Sequence, residues 1–360
     1  MAGLFMDRAD AVPLERAVAM PPRFYIGADM LAQDRALVFA RSWQLVAHGH
    51  ELEGTGDHVV TQIADVPVIV VRADDGELRA FPNICRHRGG PLALENGRGA
   101  RMLHCRYHGW IYGLDGRLRR ASEMQDAAGF EVNDIRLPLL AVAEWLGLVF
   151  VNLDPAPVPF ETVVAGIATR IAPTDFSRMR LVHHQDYEVR CNWKVYVDNF
   201  VEGYHLPYVH QALTRALDYR DYRAEVADWY SLQHSPVADA AAAYGAGQAW
   251  YYFIYPGTML NIMPGRLQAN RVLPIAPDRC RVEFHYYYLP DPGARARLAA
   301  DLEFTDRVQR EDGAICESVQ RAIASGHYEP GRLSPRHEAG VWHFHRLLRT
   351  AYAHSGANKT

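Results

Sequence analysis

Several things are missing from this 360-residue chain, and each absence removes a class of function. No apolar run reaches the roughly 18 residues that a membrane-spanning helix needs. The net charge of -4, from 38 Lys+Arg against 42 Asp+Glu, leaves no global field to attract nucleic acid or an anionic surface. Five cysteines are too few for a disulfide framework in so long a chain, and their odd number suits a reducing compartment. The opening residues MAGLFMDRADAVPLERAV carry acids and break their apolar stretch early, which makes a poor secretory signal. There is no internal repeat, and Gly97-Arg98-Gly99 lacks the strand-to-helix setting of a dinucleotide fingerprint. The expectation is a soluble, cytoplasmic protein with no nucleic-acid or membrane partner. What the chain has in surplus is histidine and tyrosine, 17 and 19 residues, more than a bland scaffold needs.

Organisation follows from composition along the chain. Residues 59–150 read as short strands cut by turns, with Asp74-Asp75-Gly76 and Asp115-Gly116 as hairpin turns. VVTQIADVPVIVV reads as alternation passing into an apolar run, and LLAVAEWLGLVFVNL as one apolar run with Gly147 inside it. Three prolines within Asp154-Pro155-Ala156-Pro157-Val158-Pro159 are too stiff for helix or central strand and mark a domain boundary. Beyond it come a short helix at 163–171, a strand leading into helix around 183–213, a small-residue loop at 238–247 that reads as a mobile lid, and aromatic strands. A long helix at 298–324 and a last one at 342–352 close the chain, and a helix at 28–43 is expected to pack on this second part.

The first chemical constellation is Cys85-Arg86-His87 followed, after seventeen residues, by Cys105-Arg106-Tyr107-His108. Two tight Cys/His pairs on two loops suit a metal. Structural zinc accepts mixed ligands, but zinc pairs usually come as Cys-Cys and His-His. The mixed order suits two irons, one held by both thiolates and the other by both imidazoles. Exchanging two anionic thiolates for neutral imidazoles raises the reduction potential and makes a usable electron store. His104, beside the second pair, reads as structural.

The second constellation places Glu202, His205 and His210 within nine residues. Histidines five apart on an ideal helix point about 140° away from each other. Pro207 between them breaks the ladder, so a kink brings the imidazoles together. Two histidines leave a non-haem iron(II) site one carboxylate short. The long helix offers Glu311 and Asp312 beside an expected buried stripe of Phe304, Val308, Ile315, Val319 and Ala322, and helical geometry does not choose between them. Cys191, Cys280 and Cys316 read as buried small apolar residues. His48, His50, His183 and His184 receive no role.

Taken together, CRHRGGPL, CRYHGWIY, the Asn-x-x-Glu-Gly-Tyr-His segment at 199–205 and REDGAICESVQ resemble the large (alpha) subunit of Rieske non-haem iron oxygenases, from about residue 22 to 352. The EAGVWHFHRLL tail and the Asn-x-x-Glu form are similar to the choline, betaine and carnitine-type monooxygenases, with single-component aromatic hydroxylases close by. The resemblance implies an α+β chain with an N-terminal segment at 1–42 packing on the catalytic domain, an all-β Rieske [2Fe-2S] domain at 43–154, and a helix-grip (START-like) catalytic domain with an antiparallel sheet at 155–360. It implies that Cys85 and Cys105 bind one iron of the cluster, that His87 and His108 bind the other, and that Trp110 shields it. It selects Asp312 as the third ligand, with His205 and His210, of a mononuclear Fe(II). Glu202 then bridges an iron histidine to a cluster histidine of the neighbouring subunit, and Asn199 lies close to the iron. A homotrimer is implied, with electrons from NAD(P)H arriving through a separate reductase or ferredoxin. The shorter Asn-x-x-Glu form favours monooxygenation or demethylation over cis-dihydroxylation of an arene.

The substrate is read from the aromatic strands Trp250–Tyr255 and Tyr286–Tyr288. Alternation sends inward either Trp250 and Tyr252 or Tyr251, Phe253 and Tyr255, and Tyr252, Phe253 and Tyr255 are the candidate pocket residues. Such a pocket suits a quaternary ammonium group by cation–π attraction, or an aromatic acid by stacking. Arg266, Arg271 and Arg281 are candidates to meet a substrate carboxylate. A stand-alone electron carrier is the competing class, but a carrier needs only about the first 150 residues and leaves His205 and His210 unexplained.

Overall fold

The computed structural model describes residues 12–237, 247–290 and 293–353. The loop expected at 238–247 lies outside the described residues except for Gly247, as do residues 1–11. The chain divides into two compact units, Phe39–Phe160 and Met1–Val38 with Glu161–Thr360. The proline-rich stretch at 154–159 falls at the end of the smaller unit. No helix among the described residues is long and apolar enough to cross a membrane.

The smaller unit holds nine strands: β1 (Gln44–His48), β2 (His58–Ile63), β3 (Val66–Arg72), β4 (Leu78–Pro82), β5 (Leu103–His104), β6 (Ile111–Tyr112), β7 (Leu118–Arg120), β8 (Ala141–Trp145) and β9 (Leu148–Asn152). They form three antiparallel sheets in the orders β1-β9-β8, β2-β3-β4 and β5-β6-β7. The continuous apolar run of β3 has a simple cause. Val68 and Val70 face one core with Leu52, Val59 and Val149, while Ile69 and Val71 face another with Phe81, Trp110 and Tyr112. Successive strand residues point to opposite faces, so a strand buried on both sides must be apolar throughout.

Two stretches expected as single runs are hairpins. Ala64 and Asp65 turn β2 into β3 with φ of 49° and 67°, and Leu146 and Gly147 turn β8 into β9 with φ of 50° and 83°. Tight hairpin turns of this kind require the left-handed region at both central residues and normally announce it with Asn or Gly. Ala64 and Leu146 give no such signal.

In the larger unit, α1 (Arg23–Ile26) and α2 (Ala28–Gln33) are followed by a π-helical turn at Asp34–Val38, so the helix expected at 28–43 is not one regular element. The helix expected at 163–171 is likewise two pieces, α3 (Phe160–Val163) and α4 (Ile167–Ile171), parted by Gly166 at φ 83°. Next come α5 (Trp193–Phe200), α6 (Leu206–Val209) and α7 (Gln211–Ala216), then α8 (Ala294–Ala324) and α9 (Ala339–Ala353). The sheet is antiparallel and seven-stranded. Its order is β10 (Arg180–Val189), β16 (Arg279–Tyr288), β15 (Arg266–Ala276), β14 (Thr258–Met263), β13 (Gln248–Ile254), β12 (Tyr230–Pro236) and β11 (Arg223–Val226).

The buried stripe of α8 differs from the expected one. Ile315 and Val319 are 38% and 40% exposed and Ala322 is exposed, whereas Asp301, Thr305, Gln309, Cys316, Gln320 and Ile323 are buried. These positions recur at helical spacing, so the burying face is real but mostly polar. Asp312 falls on that face, about 30° from its centre, and Glu311 lies well off it. Phe304 and Val308 line its edge, packed on Leu206, Leu213 and Met263.

Asp34 anchors this unit. Its carboxylate is fully buried and accepts from Trp193 Nε1 at 2.7 Å, from Lys194 Nζ and from Tyr352 Oη. Burial pulls the Lys194 pKa below its ordinary value despite the opposing pull of Asp34. Removing the carboxylate strands a buried ammonium, so Asp34→Ala is expected to lose about 3–5 kcal/mol. Urea unfolding monitored by tryptophan fluorescence would measure it. A loss under about 1 kcal/mol, the range of exposed pairs, would refute the anchoring role.

Candidate metal centres

Two loops of the smaller unit repeat one backbone pattern. Cys85 N–H donates to Gly90 O at 2.8 Å and Gly89 N–H to Cys85 O at 3.0 Å. Cys105 N–H donates to Trp110 O at 2.9 Å and Gly109 N–H to Cys105 O at 3.0 Å. Gly89 and Gly109 both have φ of 74°, which lets each loop close tightly. Gly90 is needed for a different reason. A Cβ there would stand 2.9 Å from Cys105 Sγ, inside the space the thiol occupies.

Both thiols are buried, and burial raises the Cys105 pKa. Tyr112 Oη lies 3.2 Å from Cys85 Sγ. The His87 and His108 rings sit 4.6 Å apart, and Trp110 stacks on His87 at 4.8 Å and 9°. His108 is held below its ordinary pKa by desolvation, His87 and Arg88, in that order. His87 Nδ1 and Trp110 Nε1 are buried without hydrogen-bond partners. An orphaned imidazole nitrogen beside two buried thiols is the donor set a metal group satisfies. Among the described residues, no three of Cys85, His87, Cys105 and His108 converge within 4.8 Å, as a single tetrahedral ion would require. A two-iron cluster, with its ligands shared out, fits the loops better.

The described residues that do converge so closely are His205, His210 and Asp312. The break that joins the histidines is not the one expected from Pro207. Proline stands in the first turn of α6, where a missing N–H costs nothing, and starts that helix rather than kinking it. His205 caps its beginning. His210 ends it with φ -114° and ψ 72° before α7 sets off, and the two rings meet at 5.0 Å.

Each ring is fixed from behind by a carboxylate. His205 Nδ1 is 2.5 Å from Glu202 Oε1, while Glu202 Oε2 accepts from the backbone N–H of Tyr204 and of His205. A carboxylate only accepts, so Nδ1 carries the proton and Nε2 turns its lone pair inward. His210 Nδ1 is 2.7 Å from Glu311 and its Nε2 is 2.9 Å from Asp312 Oδ1. Burial opposes protonation of His210, but Asp312 and then Glu311 lift its pKa above the ordinary value. Asn199 Nδ2 donates to Asp312 Oδ1 at 2.5 Å. Glu311 and Asp312, equivalent from sequence, thus occupy different places: Asp312 faces both Nε2 atoms, and Glu311 stands behind His210.

A cavity opens on this cluster, with about 720 Å³ of empty space including open solvent. Tyr196, Phe200, Tyr222, Tyr251 and Phe284 supply its rings. Tyr252, Phe253 and Tyr255 do not line it. Tyr252 points to the opposite side of the sheet, 5.6 Å from the Tyr230 ring. Phe253 and Tyr255 share the face of Tyr251 but lie further along, covered by Phe344 of α9 at 5.4 and 6.4 Å.

Beside aliphatic residues such as Leu206, Leu213 and Met263, the lining holds a set that was not anticipated, the side-chain amides Gln233, Asn261, Gln268, Asn270 and Gln309. Gln233, Tyr251, Asn261 and Gln268 are register partners in one row across the sheet. A signal existed, since Arg266, Gln268 and Asn270 alternate through a strand whose neighbours on both sides are also strands. Of the three candidate arginines, Arg266 lines the cavity, Arg271 pairs with Glu283 at 3.2 Å, and Arg281 is exposed.

Comparison with known proteins identifies two domains. A Rieske [2Fe-2S] domain profile matches residues 42–135, and that of the ring hydroxylating alpha subunit (catalytic domain) matches 176–354. Choline monooxygenase, chloroplastic, of Arabidopsis thaliana is 33% identical over 94% of this chain and 83% of its own length. The carnitine monooxygenase oxygenase subunit of Escherichia coli K12 is 28% identical over 94% of this chain and 95% of its own. The crystal structure of a quaternary ammonium Rieske monooxygenase with L-carnitine superposes with a TM-score of 0.84 at 25% identity, covering 96% of this chain and 98% of that one.

Proposed function

Because the chain belongs to the Rieske non-haem iron oxygenases, as the oxygenase component, we propose that it monooxygenates a quaternary ammonium compound by hydroxylation or oxidative demethylation. What carries this reading is a two-histidine, one-carboxylate cluster opening on a cavity walled by five aromatic rings. When bound, the [2Fe-2S] cluster supplies single electrons and the Fe(II) supplies coordination sites at which O2 is reduced.

Cys85, Cys105, His87 and His108 would hold the cluster, and the Tyr112 hydroxyl beside Cys85 Sγ would tune its potential. His205, His210 and Asp312 would hold the iron. Glu202 and Glu311 fix the two imidazole tautomers, and Asn199 orients the Asp312 carboxylate. The aromatic walls exclude water and offer their faces to a cation that needs no counter-charge.

The reading includes a separate reductase drawing on NAD(P)H, a head-to-tail homotrimer and a reducing compartment such as the cytoplasm. Large aromatics stand exposed beside Glu202, with Tyr204 at 45% and Tyr208 at 78%, which suits a face that a neighbouring subunit covers. All five cysteines are free thiols.

The test is oxygen uptake and product analysis with a reductase, NADH and a panel of quaternary ammonium compounds and simple aromatic acids. Uptake coupled to product is expected with at least one ammonium substrate. Coupled turnover confined to aromatic acids would refute the substrate class.

A further inference from the structure

Resting on that substrate reading, we propose that Asp301 determines which tail of the substrate the cavity accepts, by turning Arg266 from a carboxylate receptor into one half of a neutral wall. Arg266 lines the cavity from β15 and is 4% exposed. Its Nε stands 2.7 Å from the Asp301 carboxylate, which is 1% exposed on α8 and does not itself line the cavity. Tyr288 Oη and Thr305 Oγ1 also donate to Asp301, the latter at 3.3 Å, so the carboxylate is built into place. Arg266 Nη2 donates to Gln268 Oε1 at 2.8 Å, and Gln268 Nε2 to Asn270 Oδ1 at 3.0 Å. Arg266 Nη1 donates to Met263 Sδ at 3.2 Å, so the guanidinium directs both terminal nitrogens at protein acceptors, faces Asp301 through Nε as an ion pair, and polarises an amide chain along the strand.

A carboxylate entering here meets a charge pair that sums to zero. Glu202, which also faces the cavity and is not one of the iron ligands, adds repulsion. Asp312 lies three turns along α8 from Asp301, roughly 16 Å by helical rise. An uncharged hydroxyl meets no such penalty. Asn261, 9% exposed in the same cavity, has a buried Oδ1 with no partner, and an alcohol O–H supplies the missing donor. The cavity therefore selects ammonium alcohols such as choline over ammonium carboxylates such as glycine betaine.

The test is anaerobic calorimetry of the holoenzyme with two matched pairs, choline and glycine betaine, benzyl alcohol and benzoate. Wild type is expected to prefer choline to glycine betaine by at least about tenfold. Asp301→Asn, which uncovers the guanidinium charge, is expected to gain at least about tenfold for both carboxylates. Adding Arg266→Gln should abolish that gain.

A folded Asp301→Asn enzyme that binds both carboxylates as weakly as wild type would overturn the proposal, as would a wild type that prefers glycine betaine. Should Asp301→Asn fail to fold, the double variant decides, because a wall without charges must keep the wild-type preference for choline. If no ammonium binds yet Asp301→Asn gains for benzoate, the role of Asp301 stands and the substrate reading falls.

Discussion

An Asp312→Ala enzyme is expected to lose its mononuclear iron and fall to background turnover while keeping a fully reducible cluster. Metal analysis should drop from about three irons per chain to about two, with the reduced-cluster EPR signal unchanged. Asp312 Oδ1 lies 2.9 Å from His210 Nε2 and 3.7 Å from His205 Nε2, so its carboxylate is common to both inward-facing nitrogens. Glu311→Ala makes the contrast. Glu311 reaches only Nδ1 of His210, so its loss should weaken iron binding by about 10–100-fold, the range for residues that orient a ligand, and excess Fe(II) should restore turnover. If Glu311→Ala empties the site beyond rescue while Asp312→Ala keeps its iron, the assignment of the two acids is reversed.

Glu202→Gln should separate electron delivery from oxygenation. The cluster is expected to reduce normally and, with Fe(II) in excess, both iron sites to stay loaded, with product formation down about 100-fold. Both Glu202 oxygens are engaged, Oε1 by His205 Nδ1 and Oε2 by two backbone N–H groups. Glutamine has one acceptor for these two sets of donors. Whichever way the amide turns, an NH2 group faces a donor, and His205 loses either its tautomer or its mooring. Rapid-mix spectroscopy of cluster oxidation beside product yield measures the two steps separately. Normal coupled turnover in this variant would remove Glu202 from the relay between centres.

The parts of the site legible in sequence were those set by local spacing. Cys85 to His108 and Glu202 to His210 each lie within one short stretch, so residue type and interval carried the chemistry. The choice between Glu311 and Asp312 was hidden because the face that α8 buries is polar. A hydrophobic stripe drawn through Ile315 and Val319 points the helix the wrong way, and the cavity it covers is the reason. The pocket failed for a related cause. Strand alternation named Tyr251, Phe253 and Tyr255 as one possible inward set, but position along the strand decides which of them meets the cavity and which meets α9. Phase is local information, whereas the covering helix lies some ninety residues away. The missed hairpins at Ala64 and Leu146 show a third limit. Register across a sheet can force a non-glycine residue into the left-handed region, and nothing in the residue itself announces it.

The two cysteine loops carry one more implication. Each closes on its own backbone, at the same four- and five-residue intervals. Part of the ordering entropy of the ligands is therefore met by the loops' own hydrogen bonds. A socket of this kind has little freedom to relax as its contents change charge. Gain and loss of an electron would then involve small nuclear displacement, and a centre that barely rearranges can exchange electrons quickly over a small driving force.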